Sequence, residues 1–323
     1  MSTMFMRRAL LVLVCLAGLS LGATAQTPPA AQTPTPQTSP ANKPAPTLQS
    51  FPTPDAAAQT LTEALRKDDD KTIRAILGAG WRDLVPGTTE DEDEARAKYL
   101  AAWDENHKIV LSGDDKAQVE VGKTGFLMAI PIVKQDGVWR FDVAAGQQEL
   151  QARFIGRNEY RAIQTLLAIV DAQRDYAAMD PMKIGVATYA RRLLSSPGKK
   201  DGLYWETQPG EPDSPLGPLV AKAQQGAKEG AGYYGYHYRL LNSQGPDAPG
   251  GAYSYLVNGR MVGGFAVIAW PVTYGDTGVM TFIVSHNSDV YEQDLGPDTA
   301  QKAGNISVFN PDKDWQKSDM TPP

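Results

Sequence analysis

The chain has 323 residues with 31 basic and 37 acidic side chains, a net charge of −6, and a single cysteine. That balance, without any basic run, argues against nucleic acid or anionic lipid as a partner. One cysteine allows no internal disulfide, so stability has to come from packed cores.

Arg7 and Arg8 stand directly before an apolar run from Ala9 to Gly22. At 14 residues the run is short beside the ~20 that a membrane-spanning helix needs. With Ala23-Thr24-Ala25 behind it, this is the pattern of a secretory signal peptide over residues 1–25, cleaved after Ala25. Cys15 lies inside the apolar run after Val14, a poor context for lipidation, and leaves with the peptide. The mature protein is then expected to be periplasmic or secreted, without membrane anchor, thiolate nucleophile or thiolate metal site. Loss of Arg7 and Arg8 leaves 29 basic against 37 acidic residues, a charge of about −8.

Residues 26–50 hold seven prolines, five threonines and four glutamines, with Lys43 the sole charge. Such a stretch buries too little apolar surface to offset chain entropy and is expected to be a disordered, partly polyproline-like linker. The remaining chain suits two domains, at 51–146 and 147–312, with a tail at 313–323.

In the first of these, Pro54-Asp55 opens a helix with Ala57, Leu61 and Leu65 on one face, and Lys71–Leu77 reads as a second. Gly78 and Gly80 stop it. The acidic run Glu90 to Glu94 lacks the spacing and glycine turn of a calcium loop. It is expected to start a helix over Ala95–Asn106, where negative charge suits the N-terminal dipole. The period then changes to two: Lys108–Leu111, Ala117–Val121 and Phe126–Val133 read as strands, and Asp136-Gly137 turns into Val138–Val143. Helices followed by an antiparallel sheet predict an α+β domain, and this order resembles the cystatin-like roll of nuclear-transport-factor-like proteins. The resemblance implies a concave pocket and assigns no function.

The second half begins with a helix over Ala152–Met179, its apolar stripe running from Ile155 to Met179 and ended by Asp180-Pro181. Arg153, Arg157, Arg161 and Arg174 fall on the remainder, which reads as a solvated face. A Gly/Pro/Lys-rich region follows, with a short helix at Leu219–Lys228. Strands come next: Tyr234–Leu240, then Tyr253–Val257 and Arg260–Val262 around an Asn258-Gly259 turn, then Phe265–Trp270, Val279–Ser285 and Val290–Glu292. This half is again α+β. Its order, together with Gly232-Tyr233-Tyr234, Ala269-Trp270-Pro271 and Tyr274-Gly275-Asp276-Thr277-Gly278, resembles a type IV pilin head. The residues before the helix, Gln147-Gln148-Glu149-Leu150-Gln151, are too polar for a pilin's membrane segment.

Over Phe51 to Trp315 the chain resembles the bacterial exported family known as domain of unknown function 2950. The resemblance rests on Gly137-Val138-Trp139-Arg140-Phe141-Asp142, Ile155-Gly156-Arg157-Asn158-Glu159, Val170-Asp171-Ala172-Gln173-Arg174 and the block from Gly259 through Asp294-Leu295-Gly296-Pro297-Asp298-Thr299. Phe126-Leu127-Met128-Ala129 departs from the Trp-Pro-rich strand expected there. The resemblance implies no activity.

No catalytic or metal-binding set emerges. Ser285-His286 has no nucleophile elbow around it, His107 has no evident partner and reads as a surface or capping histidine, and three dispersed histidines make a poor zinc site. Asp289, Glu292 and Asp294 read as a solvated strand end. The positions expected to meet a partner are Arg260, Tyr274, Asp276, His286 and Glu292, on hairpin ends and strand termini, although turn chemistry alone also selects Asp276. The function expected is a non-catalytic binding or structural module acting on another envelope protein or polymer, with no cofactor. The alternatives are a carboxylate-based hydrolase of an envelope polymer and a carrier of a small ligand in the N-terminal roll.

Overall fold

The computed structural model of the protein describes residues 48–84, 89–217 and 232–320. The expected signal peptide, nearly all of the linker and the helix expected at 219–228 lie outside these residues. What is described combines helices with antiparallel sheets, the α+β class read from the sequence.

Helix α1 (Pro54–Lys67) starts where Thr53 Oγ1 accepts the Ala56 amide at 3.1 Å and Pro54, with its fixed φ, fills the first turn. Asp69 caps α2 (Asp70–Leu77) in the same way, through the Thr72 amide. A single 3₁₀ turn, Trp81–Leu84, follows. The acidic run is the first part of α3 (Thr89–Glu105), with Glu90, Asp91 and Glu92 in its opening turn, where the helix dipole favours them. Strands β1 (His107–Leu111), β2 (Lys116–Val121), β3 (Phe126–Leu127), β4 (Ile132–Gln135) and β5 (Val138–Phe141) make an antiparallel sheet in the order β1-β2-β4-β5, with β3 also on β2. Ala117, Ile132 and Phe141 face one another across the register and are buried with Val119, Val121, Leu61, Ile73 and Ile76.

One expected strand divides. Phe126–Val133 becomes β3 and β4, because Pro131 has no amide to give to a ladder and the chain between turns Ala129 and Ile130 into the interior.

Helix α4 (Val143–Met179) has 37 residues, about 55 Å at 1.5 Å per residue, and begins nine residues before the expected start. Asp142 caps it through the Ala145 amide at 3.0 Å. The boundary drawn between residues 146 and 147 therefore falls within a helix. Gly146 lies where α4 passes over Ile130: a Cβ there would sit 2.7 Å from Ile130 Cγ1 and 3.1 Å from its Cα.

The second sheet is formed by β6 (Tyr236–Leu241), β11 (Ala266–Pro271), β12 (Met280–Ser285), β13 (Val290–Asp294) and β14 (Gln316–Lys317), antiparallel throughout in the order β14-β13-β12-β11-β6. Two-stranded pairs flank it: β7 (Ser243–Gln244) with β8 (Tyr253–Ser254), and β9 (Leu256–Val257) with β10 (Arg260–Met261). Helix α4 runs alongside β12 in the same direction. Glu159 Oε1 accepts the Val279 and Met280 amides at 2.9 and 3.0 Å, and farther along Arg174 reaches the His286 carbonyl and Ser288 Oγ at 3.2 and 2.8 Å. Helix α5 (Thr299–Asn305), unforeseen in the sequence reading, lies beside β11, and Arg239 ties its end through the Ala303 and Ile306 carbonyls at 2.7 and 2.8 Å. Cover on both sides explains why β11 is buried nearly residue by residue rather than in alternation.

Candidate functional site

Arginines 153, 157 and 161 recur every four residues on α4, a spacing that stacks them on one helix face. Across from them runs the segment from Phe126 to Ile130. Between the two lies an open groove of about 720 Å³, its floor made by Phe126, Met128, Ala129, Ile130, Leu150 and Tyr160. Phe126 is 56% exposed and Tyr160 50%, large values for aromatic side chains beside an apolar floor. Leu84, Met128 and Ile130 also line a second cavity, of about 370 Å³, that lies beneath α3 with Leu61, Leu65 and Trp81 in its walls. The two apolar spaces thus share a wall.

The three arginines differ in how they are held. Arg153 donates to Glu149 Oε1 and to the Leu127 carbonyl, each at 2.8 Å, and its guanidinium lies over the Phe126 ring. Arg161 lies over the Tyr234 ring, 4.8 Å from the centroid. Arg157 has no hydrogen-bond or ion-pair partner among the described residues. Acidic groups near the inner cavity are engaged: Arg96 bridges Asp68 and Asp93, and Glu92 pairs with Arg82 at 3.3 Å.

Asp70 organises the cavity's far side. Its carboxylate takes Arg74 Nε at 2.5 Å, Arg82 Nη1 at 2.8 Å and Trp81 Nε1 at 3.1 Å, which fixes the 3₁₀ turn. The Arg74 hydrogen bond foremost, with those from Arg82 and Trp81 outweighing desolvation, holds its carboxyl down at about 2. Burial pushes the Tyr99 hydroxyl up to about 12, opposed by its bond to Thr62 Oγ1 at 2.9 Å.

The positions singled out in the sequence do not form one surface. Tyr274 donates to Asp294 Oδ2 at 3.2 Å, and the Asp276 carbonyl accepts Gln151 Nε2 at 2.7 Å, so this turn is docked against the beginning of α4. Glu292 lies two residues from Asp294 on the same side of β13. His286 follows the opposite end of β12, its ring edge-on to Tyr255 and Phe265. From the Glu159 contact with β12 to the Arg174 contact at His286 is 15 residues of helix, about 22 Å. Arg260 belongs to the β9–β10 hairpin, apart from the Tyr274 turn. Asp289 is paired with Lys317 at 2.6 Å.

His107 stacks on Trp103, with ring centroids 3.8 Å apart, and its Nδ1 meets the Trp103 carbonyl at the end of α3, a capping arrangement. It shares a polar depression with Asp55 and Glu63. Those two residues are eight positions apart on α1, about 12 Å of helical rise between their backbones. Ser285 Oγ accepts the Asn287 amide at 3.4 Å, and no bond joins it to the neighbouring imidazole. Among the described residues no three His, Cys, Asp or Glu side chains gather to hold a metal ion, and no helix is long and apolar enough to cross a membrane.

The arginine row was visible in the sequence only as the polar side of an amphipathic helix. Its four-residue interval was the available signal, but the apolar floor facing it comes from a segment some 25 residues earlier in the chain, where the sequence departs from the Trp-Pro-rich strand.

A family model described as "Protein of unknown function (DUF2950)" matches residues 48–318. No curated protein and no solved structure matches the chain, so the roll-like and pilin-like resemblances gain no support from either comparison.

Proposed function

The chain belongs to the DUF2950 family, which fixes its kinship and no chemistry, and from its geometry we propose that it is an exported, non-catalytic binding module of the cell envelope. The observation that carries this reading is the groove between Phe126–Ile130 and the arginine row of α4. Its apolar floor shares a wall with a second apolar cavity, while its rim presents a cation that has no partner among the described residues. Against the expectation drawn from overall charge, this local row of arginines suits an anionic amphiphile, with the hydrocarbon on Met128, Ile130 and Leu84 and the anionic head at Arg157 and Arg161. Each methylene taken from water contributes about 0.8 kcal/mol. Ten of them supply on the order of 8 kcal/mol, which association costs reduce to micromolar binding or weaker. Arginine suits the head because its planar fork meets a carboxylate with two parallel bonds.

The export half of the proposal rests on the n-region arginines, the short apolar run and Ala23-Thr24-Ala25. Periplasmic or secreted localisation follows from it, as does contact with another envelope component as the source of the amphiphile.

Native mass spectrometry of the mature protein with dodecanoate tests the binding reading. One bound acid is expected, and Arg157→Glu is expected to reduce its occupancy about tenfold or more through charge reversal. A wild-type spectrum showing only the ligand-free mass with excess dodecanoate removes the reading.

A further inference from the structure

We propose a second binding site, between the C-terminal end of α4 and the β9–β10 hairpin, for a small ligand bearing two or more oxyanion groups. The cavity there measures about 460 Å³, a size suited to a small metabolite or a sugar unit. Arg191, Arg192 and Arg260 all line it, with Thr188, Tyr189 and Asn242 among the neutral groups. On a chain whose net charge is −6, three guanidiniums at one cavity run against the general balance.

None of the three forms an ion pair with a carboxylate among the described residues, although Arg192 feels the charge of Asp201 at longer range. Arg191 donates to the Gly259 carbonyl and Arg192 to Ser196 Oγ, each at 3.2 Å, and both acceptors are neutral. Arg260 has no hydrogen-bond or ion-pair partner among the described residues. The one acid in the lining, Asp201, is turned to Ser196, accepting its amide at 2.7 Å and its hydroxyl at 2.9 Å. Like charges so placed repel one another, and a ligand with two anionic groups relieves the repulsion while filling donors left open.

The frame beneath the arginines is fixed in advance. Gln173 of α4, wholly buried, donates Nε2 to the Ala190 carbonyl at 2.9 Å and accepts the Ala190 amide at 2.8 Å, pairing with the chain as a strand would. On the other side the Tyr189 amide donates to the Met261 carbonyl at 2.8 Å, an antiparallel bridge that sets Arg191 beside the hairpin turn. Asn258 and Gly259 both have positive φ, as a tight two-residue turn requires, so the hairpin presents Arg260 from a defined backbone. Held this way, the arginines lose little further backbone freedom on binding. Tyr176 in this cavity is 19 residues beyond Arg157, about 28 Å along α4, which separates the site from the amphiphile groove.

Isothermal titration of the full mature chain with pyrophosphate and with citrate tests the proposal. Saturable, salt-sensitive binding of either probe is expected: pyrophosphate alone identifies a phosphate ligand, citrate alone a polycarboxylate. Arg260→Gln and Arg192→Gln are each expected to weaken binding about tenfold or more, as loss of a charge-assisted bond does. Both side chains are exposed, so an unchanged melting temperature shows that the fold persists. Arg157→Glu, in the other groove, is expected to leave this binding intact. Absence of binding by both probes at millimolar concentration overturns the proposal, as does affinity unchanged in both glutamine variants.

Discussion

At the scale of single residues, several polar side chains act through the backbone they hold. Gln173 is the clearest. Replacing it by Leu leaves the Ala190 amide and carbonyl buried without partners, at about 1–3 kcal/mol for each. Gln173→Leu is therefore expected to lower the denaturation midpoint distinctly, and a midpoint equal to wild type contradicts the clamp. His237 gives a pH dependence. Its ring lies beside Trp270, with centroids 5.4 Å apart, and burial lowers its pKa below 6.5. Between the folded and unfolded values the unfolded chain binds the additional proton, so stability is full above about 6.5 and falls as pH drops towards the folded value. His237→Phe is expected to flatten the melting temperature in that window. An unaltered slope between pH 7.5 and 5.5 counts against the assignment.

At the scale of elements, α4 joins the two sheets because Asp142 starts it immediately after β5 and nothing interrupts it until Asp180. Asp142→Ala is expected to cost about 1 kcal/mol in chemical denaturation through loss of the cap. Gly146→Val carries a different expectation. The added side chain meets the Ile130 backbone and costs on the order of 1–3 kcal/mol of overpacking, moving the wall shared by the two apolar cavities. A loss of dodecanoate binding larger than the loss of stability places the effect in the groove; stability equal to wild type shows that the helix and Ile130 are not in close contact. The early start of α4 was hidden because residues 147–151 are polar apart from Leu150 and Gly146 has low helix propensity. Both observations fit a helix whose first turns face solvent except along the line where Val143, Gly146 and Leu150 meet the first core.

At the scale of the whole molecule, the apolar residues separate into two cores. One is built around Leu61, Ile76, Ile132 and Phe141, the other around Leu166, Ile169, Phe265 and Phe282. The second relies on its C-terminal segment. Phe309 is 1% exposed and packs edge-on near Tyr291, and α5 lies beside β11. A chain ended before Asp298 is expected to lose cooperative unfolding of the second core, and a melting transition like that of the full chain contradicts that dependence. Outside the described residues, the signal sequence predicts that protein recovered from cells begins at Gln26, a mass readily measured.

Period and punctuation were local properties, so they could be read from the chain alone. The first two helices, the period-two strands, the Asp136-Gly137 and Asn258-Gly259 turns and the α+β class followed from them, and long matching blocks placed the chain in its family. Other features depended on which segments meet in space. Pro131 divides a strand only because its neighbours on β2 require a ladder, and the residues expected to share a partner surface lie toward opposite ends of α4. Arginines 153, 157 and 161 became the rim of a groove, and Arg191, Arg192 and Arg260 came together from separate stretches of chain. Spacing along one helix or strand is set by bond geometry, whereas convergence of distant segments is set by packing, which only the tertiary structure decides.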